Sequence, residues 1–161
     1  MIIFIISDTH FNHKNIIEYA GRPFKTIEEM NKEIIGKWNK KVGKEDLVIH
    51  LGDFALGNEE EVKAIRDRLN GKIILLKGNH DYKSVRKAGF LIIKGTLEIN
   101  NLIFSHNPLR KEDIPNGFIN VHGHIHEKES KEGINISVEK TNYEPIELTE
   151  LNNMVEERRI K

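Results

Sequence analysis

Five short apolar runs in this chain each end in a polar cluster rich in Asp, Asn and His, and that recurrence restricts the fold more than any other feature. The clusters read Asp8-Thr9-His10, Gly52-Asp53, Gly78-Asn79-His80-Asp81, Ser105-His106-Asn107-Pro108 and Gly123-His124-Ile125-His126. Run 2–7 is apolar without alternation, which predicts a strand buried on both faces, and 47–51 and 72–77 read as a second and a third strand. Helical patterns separate them, so strand, helix and strand recur with the polar clusters at the strand ends. Open α/β sheets place their ligands there.

The helices carry their own punctuation. A short one over 13–20 stops at Gly21, and Arg22-Pro23 begins a turn. Thr26 and Glu29 form a capping box, with Ile27, Met30, Ile34, Ile35 and Trp38 following at helical spacing. A third helix over 58–69 turns Val62, Ile65 and Leu69 inward, and Gly71 closes it. After Gly89 the pattern changes to short strands over 90–93, 96–99 and 102–104, with Asn100-Asn101 as a hairpin turn. A second sheet is expected to begin there. Strands over 118–121 and 134–138 follow. The tail 149–160 reads as an amphipathic helix with Leu151, Met154 and Val155 on its apolar side and Arg158-Arg159 at a solvated end. With no repeat, low-complexity stretch or linker, residues 1–161 read as one domain.

Composition narrows the chemistry. There is no cysteine, so disulfides, thiolate metal sites and thiol nucleophiles are excluded together, and any metal ligands must be nitrogen and oxygen. The 25 basic and 25 acidic residues cancel, so no long-range field draws nucleic acid or an anionic membrane to the chain. The apolar start, 1–6, is too short to span a bilayer and lacks a signal peptide's basic segment and cleavage site. It reads as a buried strand in a cytoplasmic protein.

In extended backbone, side chains two apart share a side. Asp8 and His10 are therefore expected to converge, as are His124 and His126. Each pair alone is a weak signal. Asp53 follows a glycine, where a missing side chain lets the backbone turn closely past an ion. Its two oxygens can bridge cations about 3.5–4 Å apart. Asn79 can coordinate through its amide oxygen without adding charge.

Taken in order, the five motifs resemble those of the calcineurin-like metallophosphoesterases, and the resemblance extends from Asp8 to His126. It implies an α/β fold of two facing mixed β-sheets flanked by helices, an αββα sandwich. It also implies two divalent ions, with Mn the first choice and Fe, Zn, Co or Ni as alternatives. Asp8, His10 and His126 would hold one ion, Asn79, His106 and His124 the other, and Asp53 would bridge them. His80 would stay unligated, facing the substrate phosphate and the leaving oxygen. Asp81 occupies the family's acidic neighbouring position, where it either orients His80 or caps the next helix. The implied reaction is hydrolysis of phosphomono- or phosphodiesters by in-line attack of a metal-bridging hydroxide. A small nucleotide-like substrate, such as a 2′,3′-cyclic phosphate, is preferred over nucleic-acid ends. The competing reading is a non-catalytic scaffold of the same fold that binds a protein partner. The presence of all seven implied ligands and His80 weighs against it.

Four further residues are ambiguous in sequence. Arg22, on the loop Gly21-Arg22-Pro23-Phe24, is either a bidentate phosphate clamp or a surface arginine. His13, with Asn12 beside it, lines the substrate pocket rim or simply begins a helix. His50 and His122 read as buried histidines with packing or supporting roles.

Overall fold

The computed structural model describes the backbone of residues 1–160 and the side chains of residues 1–157. The side chains of Arg158 and Arg159 lie outside the described residues. The chain begins with β1 (Ile3–Ile6), α1 (Lys14–Tyr19) and α2 (Ile27–Lys41), then β2 (Leu47–His50), α3 (Glu59–Arg66), β3 (Lys72–Leu76), α4 (Lys83–Lys87) and β4 (Leu91–Ile93). It continues with β5 (Leu97–Ile99), β6 (Leu102–Ser105), β7 (Ile119–His122), β8 (Ile134–Asn135), β9 (Ile146–Glu147) and α5 (Leu148–Ile160).

The strands form two mixed sheets, one ordered β4-β3-β2-β1-β9 and the other β5-β6-β7-β8. In the first, β1 to β4 run parallel and β9 pairs antiparallel with β1. In the second, β6, β7 and β8 run parallel and β5 is the antiparallel edge. Flanked by helices, this is the α/β sandwich expected.

Continuous apolar strands are needed because each face of the first sheet meets its own core. On one face Phe4, Ile6 and Val48 pack with Met30, Ile34 and Trp38 of α2 and Val62 and Ile65 of α3. On the other, Ile5 and Ile49 meet Leu102, Phe104, Val121 and Ile134 of the second sheet. Burying a large side chain stabilises by about 1.5–3 kcal/mol, so both layers contribute strongly. Thr26 caps α2 by accepting from Glu29 N–H at 3.1 Å. Glu29 reaches Lys25 N–H instead of Thr26 N–H, so the return half of the expected box falls one residue early.

Three expectations shift. β4 joins the first sheet, parallel to β3, and the second sheet starts at β5. Its crossover helix α4 has only 5 residues, too short to show a helical period. β9, two residues long, had no readable pattern. In α5, Leu151 and Val155 are buried in the inter-sheet core, but Met154 is 37% exposed. Among the described residues no helix is long and apolar enough to cross a membrane.

Candidate metal centre

Parallel register carries the C-terminal ends of β1, β2 and β3 to one edge, and β6 and β7 end beside them. Backbone hydrogen bonds then lace the loops together. Asp8 N–H donates to Gly52 O at 3.0 Å, His10 N–H to Asp53 O at 3.0 Å and Gly123 N–H to His106 O at 3.0 Å.

Extended alternation is not what makes the ligand pairs converge. Asp8, His10, Asp53, His124 and His126 all take positive φ, from 48° to 69°. Such left-handed conformations are costly outside glycine and gather at functional sites. Here they bend each loop back after the strand, so that side chains two apart point into one cavity. The glycines serve the approach of loop to loop. A Cβ on Gly52 would lie 2.6 Å from Gly78 N, and one on Gly123 would collide with Asp8 Oδ2 and Ser7 Oγ.

Two clusters result, Asp8-His10-His126 and Asp53-His106-His124, and within each the ligand-type atoms lie within 4.8 Å of one another. In the first, one oxygen of Asp8 is fully engaged. Oδ2 accepts from Ser7 Oγ–H at 2.6 Å, His124 N–H at 2.9 Å and Ser137 Oγ–H at 3.1 Å. Its other oxygen, Oδ1, and His10 Nε2 are buried without a hydrogen-bond partner. Two such atoms 3.9 Å apart in a buried site suit a cation.

In the second, His106 Nδ1–H donates to Leu51 O at 2.8 Å, which leaves Nε2 as a ligand. That nitrogen lies 2.7 Å from Asn79 Oδ1, two acceptors reconciled by a proton or a cation between them. Burial opposes charge on His106, yet the hydrogen bond to Asp53 and the charges of Asp8 and Asp53 raise its pKa to about 9. The pocket therefore favours positive charge. Asp53 Oδ2 stands 3.4 Å from His10 Nε2 and 3.4 Å from His106 Nε2, midway between the clusters. Burial works against its ionisation, but the two histidines beside it hold its carboxyl well below the usual range. The donor set fits two divalent ions sharing one carboxylate.

The remaining site candidates divide. His80 is half-buried, its ring 5.5 Å from that of His10 and 6.2 Å from that of His13, and its N–H donates to Asp53 Oδ1 at 2.8 Å. His13 begins the helix: its Nδ1 accepts from Ile16 N–H to cap α1, and its ring lies beside those of His10 and His80. Asp81 neither orients the His80 ring nor caps α4. Its carboxylate accepts from the N–H groups of Gly78, Asp53 and Phe54, at 2.8, 2.9 and 2.9 Å, and so fastens two ligand loops together. Asn12 is spent elsewhere, its amide bonded to Asn31 and Leu56 O, which removes it from the substrate rim. Arg22 is neither on the surface nor free to clamp a phosphate. Its side chain is buried and bonded to Glu139 and to the carbonyls of Asp8 and Thr9.

His50 and His122 are satisfied buried histidines. Gly52 N–H donates to His50 Nδ1 and His50 Nε2–H to Thr9 Oγ1, while His122 is bonded to Gly123 O and Ser130 Oγ. Sequence reasoning missed Asn135, Ser137 and Glu139. Asn135 Nδ2 donates to His126 O, Ser137 holds Asp8, and Glu139 Oε1 accepts from His126 Nδ1–H at 3.1 Å. A signal was present: Ile134, Ile136 and Val138 alternate with these three polar residues, and all three apolar members are buried. Only Ile134–Asn135 of this segment is strand, with a single bridge at Ser137, but its polar side chains face the site.

The family model for calcineurin-like phosphoesterases matches residues 1–158, and this chain belongs to that family. An uncharacterized protein of Methanocaldococcus jannaschii is 38% identical, over 98% of this chain and 93% of its own length. Among solved structures, a protein of unknown function from Aquifex aeolicus aligns with a TM-score of 0.74 at 28% identity, covering 95% of this chain and 98% of that one. The Pseudomonas putida nuclease MPE shares the fold, with a TM-score of 0.51 at 16% identity over 77% of this chain and 60% of its own.

Proposed function

We propose that this chain is a dinuclear metal-dependent phosphoesterase acting on a small nucleotide-like phosphomono- or phosphodiester, 2′,3′-cyclic phosphates included. The observation that carries the proposal is the position of Asp53 Oδ2, 3.4 Å from a histidine of each cluster. Two divalent ions, Mn first among them, would be held by Asp8, His10 and His126 and by Asn79, His106 and His124, and when bound would activate water and offset charge on the phosphoryl oxygens.

The protein's own part is to fix these groups before substrate arrives. Asp53 holds the backbone of His80, and His80 hydrogen-bonds or protonates the leaving oxygen. His13 closes the rim on one side. Tyr82 supports a nucleotide-like substrate: it is 58% exposed, and its ring lies 6.1 Å from that of His80. It occupies the N-cap of α4 but makes no side-chain cap bond, so capping does not account for an aromatic there. A flat, exposed ring beside the leaving-group histidine suits stacking on a base.

The test is turnover of p-nitrophenyl phosphate, its bis ester and 2′,3′-cyclic nucleotides after reconstitution with Mn, Fe, Zn, Co and Ni in turn. Metal-dependent hydrolysis with two ions per chain is expected. No turnover by a fully loaded protein on any of these would sink the catalytic reading and favour the scaffold.

A further inference from the structure

We infer that Arg22 and Glu139 are a buried positioning pair that sets the affinity and geometry of the Asp8-His10-His126 cluster. The inference rests on the dinuclear reading in one respect, that His126 is a ligand.

The pair ties together the two loops that build this cluster. Each nitrogen of the guanidinium is engaged. Nε donates to Glu139 Oε1 at 2.9 Å, and Nη2 lies 2.8 Å from the same oxygen as an ion pair and donates to Asp8 O at 2.7 Å. Nη1 donates to Thr9 O at 2.9 Å and to Met30 Sδ at 3.4 Å. Arg22 therefore grips the backbone of the first ligand loop through successive carbonyls. Glu139 Oε1 in turn accepts from His126 Nδ1–H, which fixes the ring's rotation and tautomer and leaves Nε2 to point away as a ligand. One carboxylate oxygen thus joins the loop of Asp8 to the loop of His126.

Stability alone is a poor reason for this arrangement. The side chains of Arg22 and Glu139 are 0% and 4% exposed, and a buried ion pair is often no more stabilising than apolar residues of the same volume. Glu139 Oε2 is moreover buried with no hydrogen-bond partner, a further cost. The left-handed Asp8 and His10 explain the need. A strained loop relaxes unless neighbouring groups over-determine it, and Arg22 holds it at the carbonyls of Asp8 and Thr9. Among the described residues, no hydrogen bond or ion pair joins the pair to Asp53, His106 or His124.

The experiment is stepwise Mn(II) loading of the metal-free protein, read by calorimetry and by the electron spin resonance spectrum, which separates lone from coupled Mn(II). Glu139→Gln keeps the shape and removes the charge. Arg22→Met combined with Glu139→Gln removes both charges, so no unpaired ion is left buried if the single variant folds poorly. In both, affinity at the first cluster is expected to fall about 10- to 100-fold, the usual cost of losing a ligand's supporting partner, while the second cluster keeps its affinity. The spectrum at two equivalents then shows lone Mn(II) where wild type shows the coupled pair. Equal weakening of both sites, or a lowered melting midpoint with first-cluster affinity unchanged in the folded protein, would overturn the inference. Wild-type protein that takes up fewer than two ions would instead overturn the dinuclear reading beneath it.

Discussion

The two clusters are built from similar donors but held in different ways. Around Asp8, His10 and His126 the protein spends side chains: Ser7 and Ser137 on Asp8, Glu139 on His126, and Asn135 on the loop between them. Around Asp53, His106 and His124 fewer side chains serve: Asp81 holds the backbone of Asp53 and Gly78, Leu51 O orients His106, and Asn79 is exposed. Dense support around buried donors preorganises a site, whereas an exposed amide ligand leaves room for exchange and for substrate. The first cluster should therefore fill first and release its ion last. The second is the more open side of a shared cavity.

Asp53 offers the most severe way to break this comparison, because it belongs to both halves. Asp53→Asn is expected to leave no measurable turnover and less than two bound ions, since it weakens the carboxylate that lies between a histidine of each cluster. His106→Ala should retain one ion, in the first cluster. Metal analysis of the two variants after identical reconstitution distinguishes them. Retention of two tightly bound ions by Asp53→Asn would end the bridging assignment.

His80 sharpens the comparison by separating chemistry from metal binding. His80→Ala should keep both ions and lose about 10²- to 10⁴-fold in kcat, the usual scale of general acid catalysis. The loss should be greatest for esters with poor leaving groups, because nitrophenolate departs with little protonation. A uniform loss across leaving groups would make His80 a phosphate-positioning residue. Tyr82 is expected to matter less. Tyr82→Ala should raise KM for nucleoside phosphoesters about tenfold, as removal of one stacking platform does, and Tyr82→Phe should not. Equal effects on nucleoside and small alkyl esters would remove the stacking surface from the open side.

The same asymmetry governs what was legible in sequence. The ligand loops announce themselves because each follows an apolar strand and carries Asp, Asn or His, and the family resemblance those motifs carry is what named seven candidate ligands before any geometry. Their support was not. Arg22 and Glu139 are 117 residues apart, and nothing local marks a buried ion pair as opposed to two surface charges. Asp81 was misread because a carboxylate before a helix suggests a cap, while its actual partners are backbone N–H groups on two loops brought together by the sheet. The pattern over 134–138 reads as a strand, of which the structure keeps Ile134–Asn135 and a single bridge at Ser137, and which polar residues meet the metal loops depends on that pairing of Ser7 with Ser137. β4 was assigned to the wrong sheet for a similar reason: its pattern fixes a strand, and only pairing with β3 fixes its neighbour. Periodicity reports what a residue buries. It does not report against what.

The smallest effect lies beneath the floor common to both clusters. His50 links Gly52, next to the bridging Asp53, with Thr9, between Asp8 and His10. Burial, its largest influence, pushes its pKa down from 6.5 to about 3, so in the folded protein it stays neutral where the unfolded chain is protonated. Between about pH 6.5 and 3 the unfolded state binds the extra proton, and the contribution of a neutral His50 is lost as pH falls through that window. The slope is about 1.4 kcal/mol per pH unit for one proton. Denaturant unfolding of the metal-free protein at pH 7, 6 and 5 should show this, with His50→Gln less stable at pH 7 but shallower in slope by about that amount below pH 6. Identical slopes in the two proteins would mean that His50 is protonated in the fold and that another group carries the acid sensitivity.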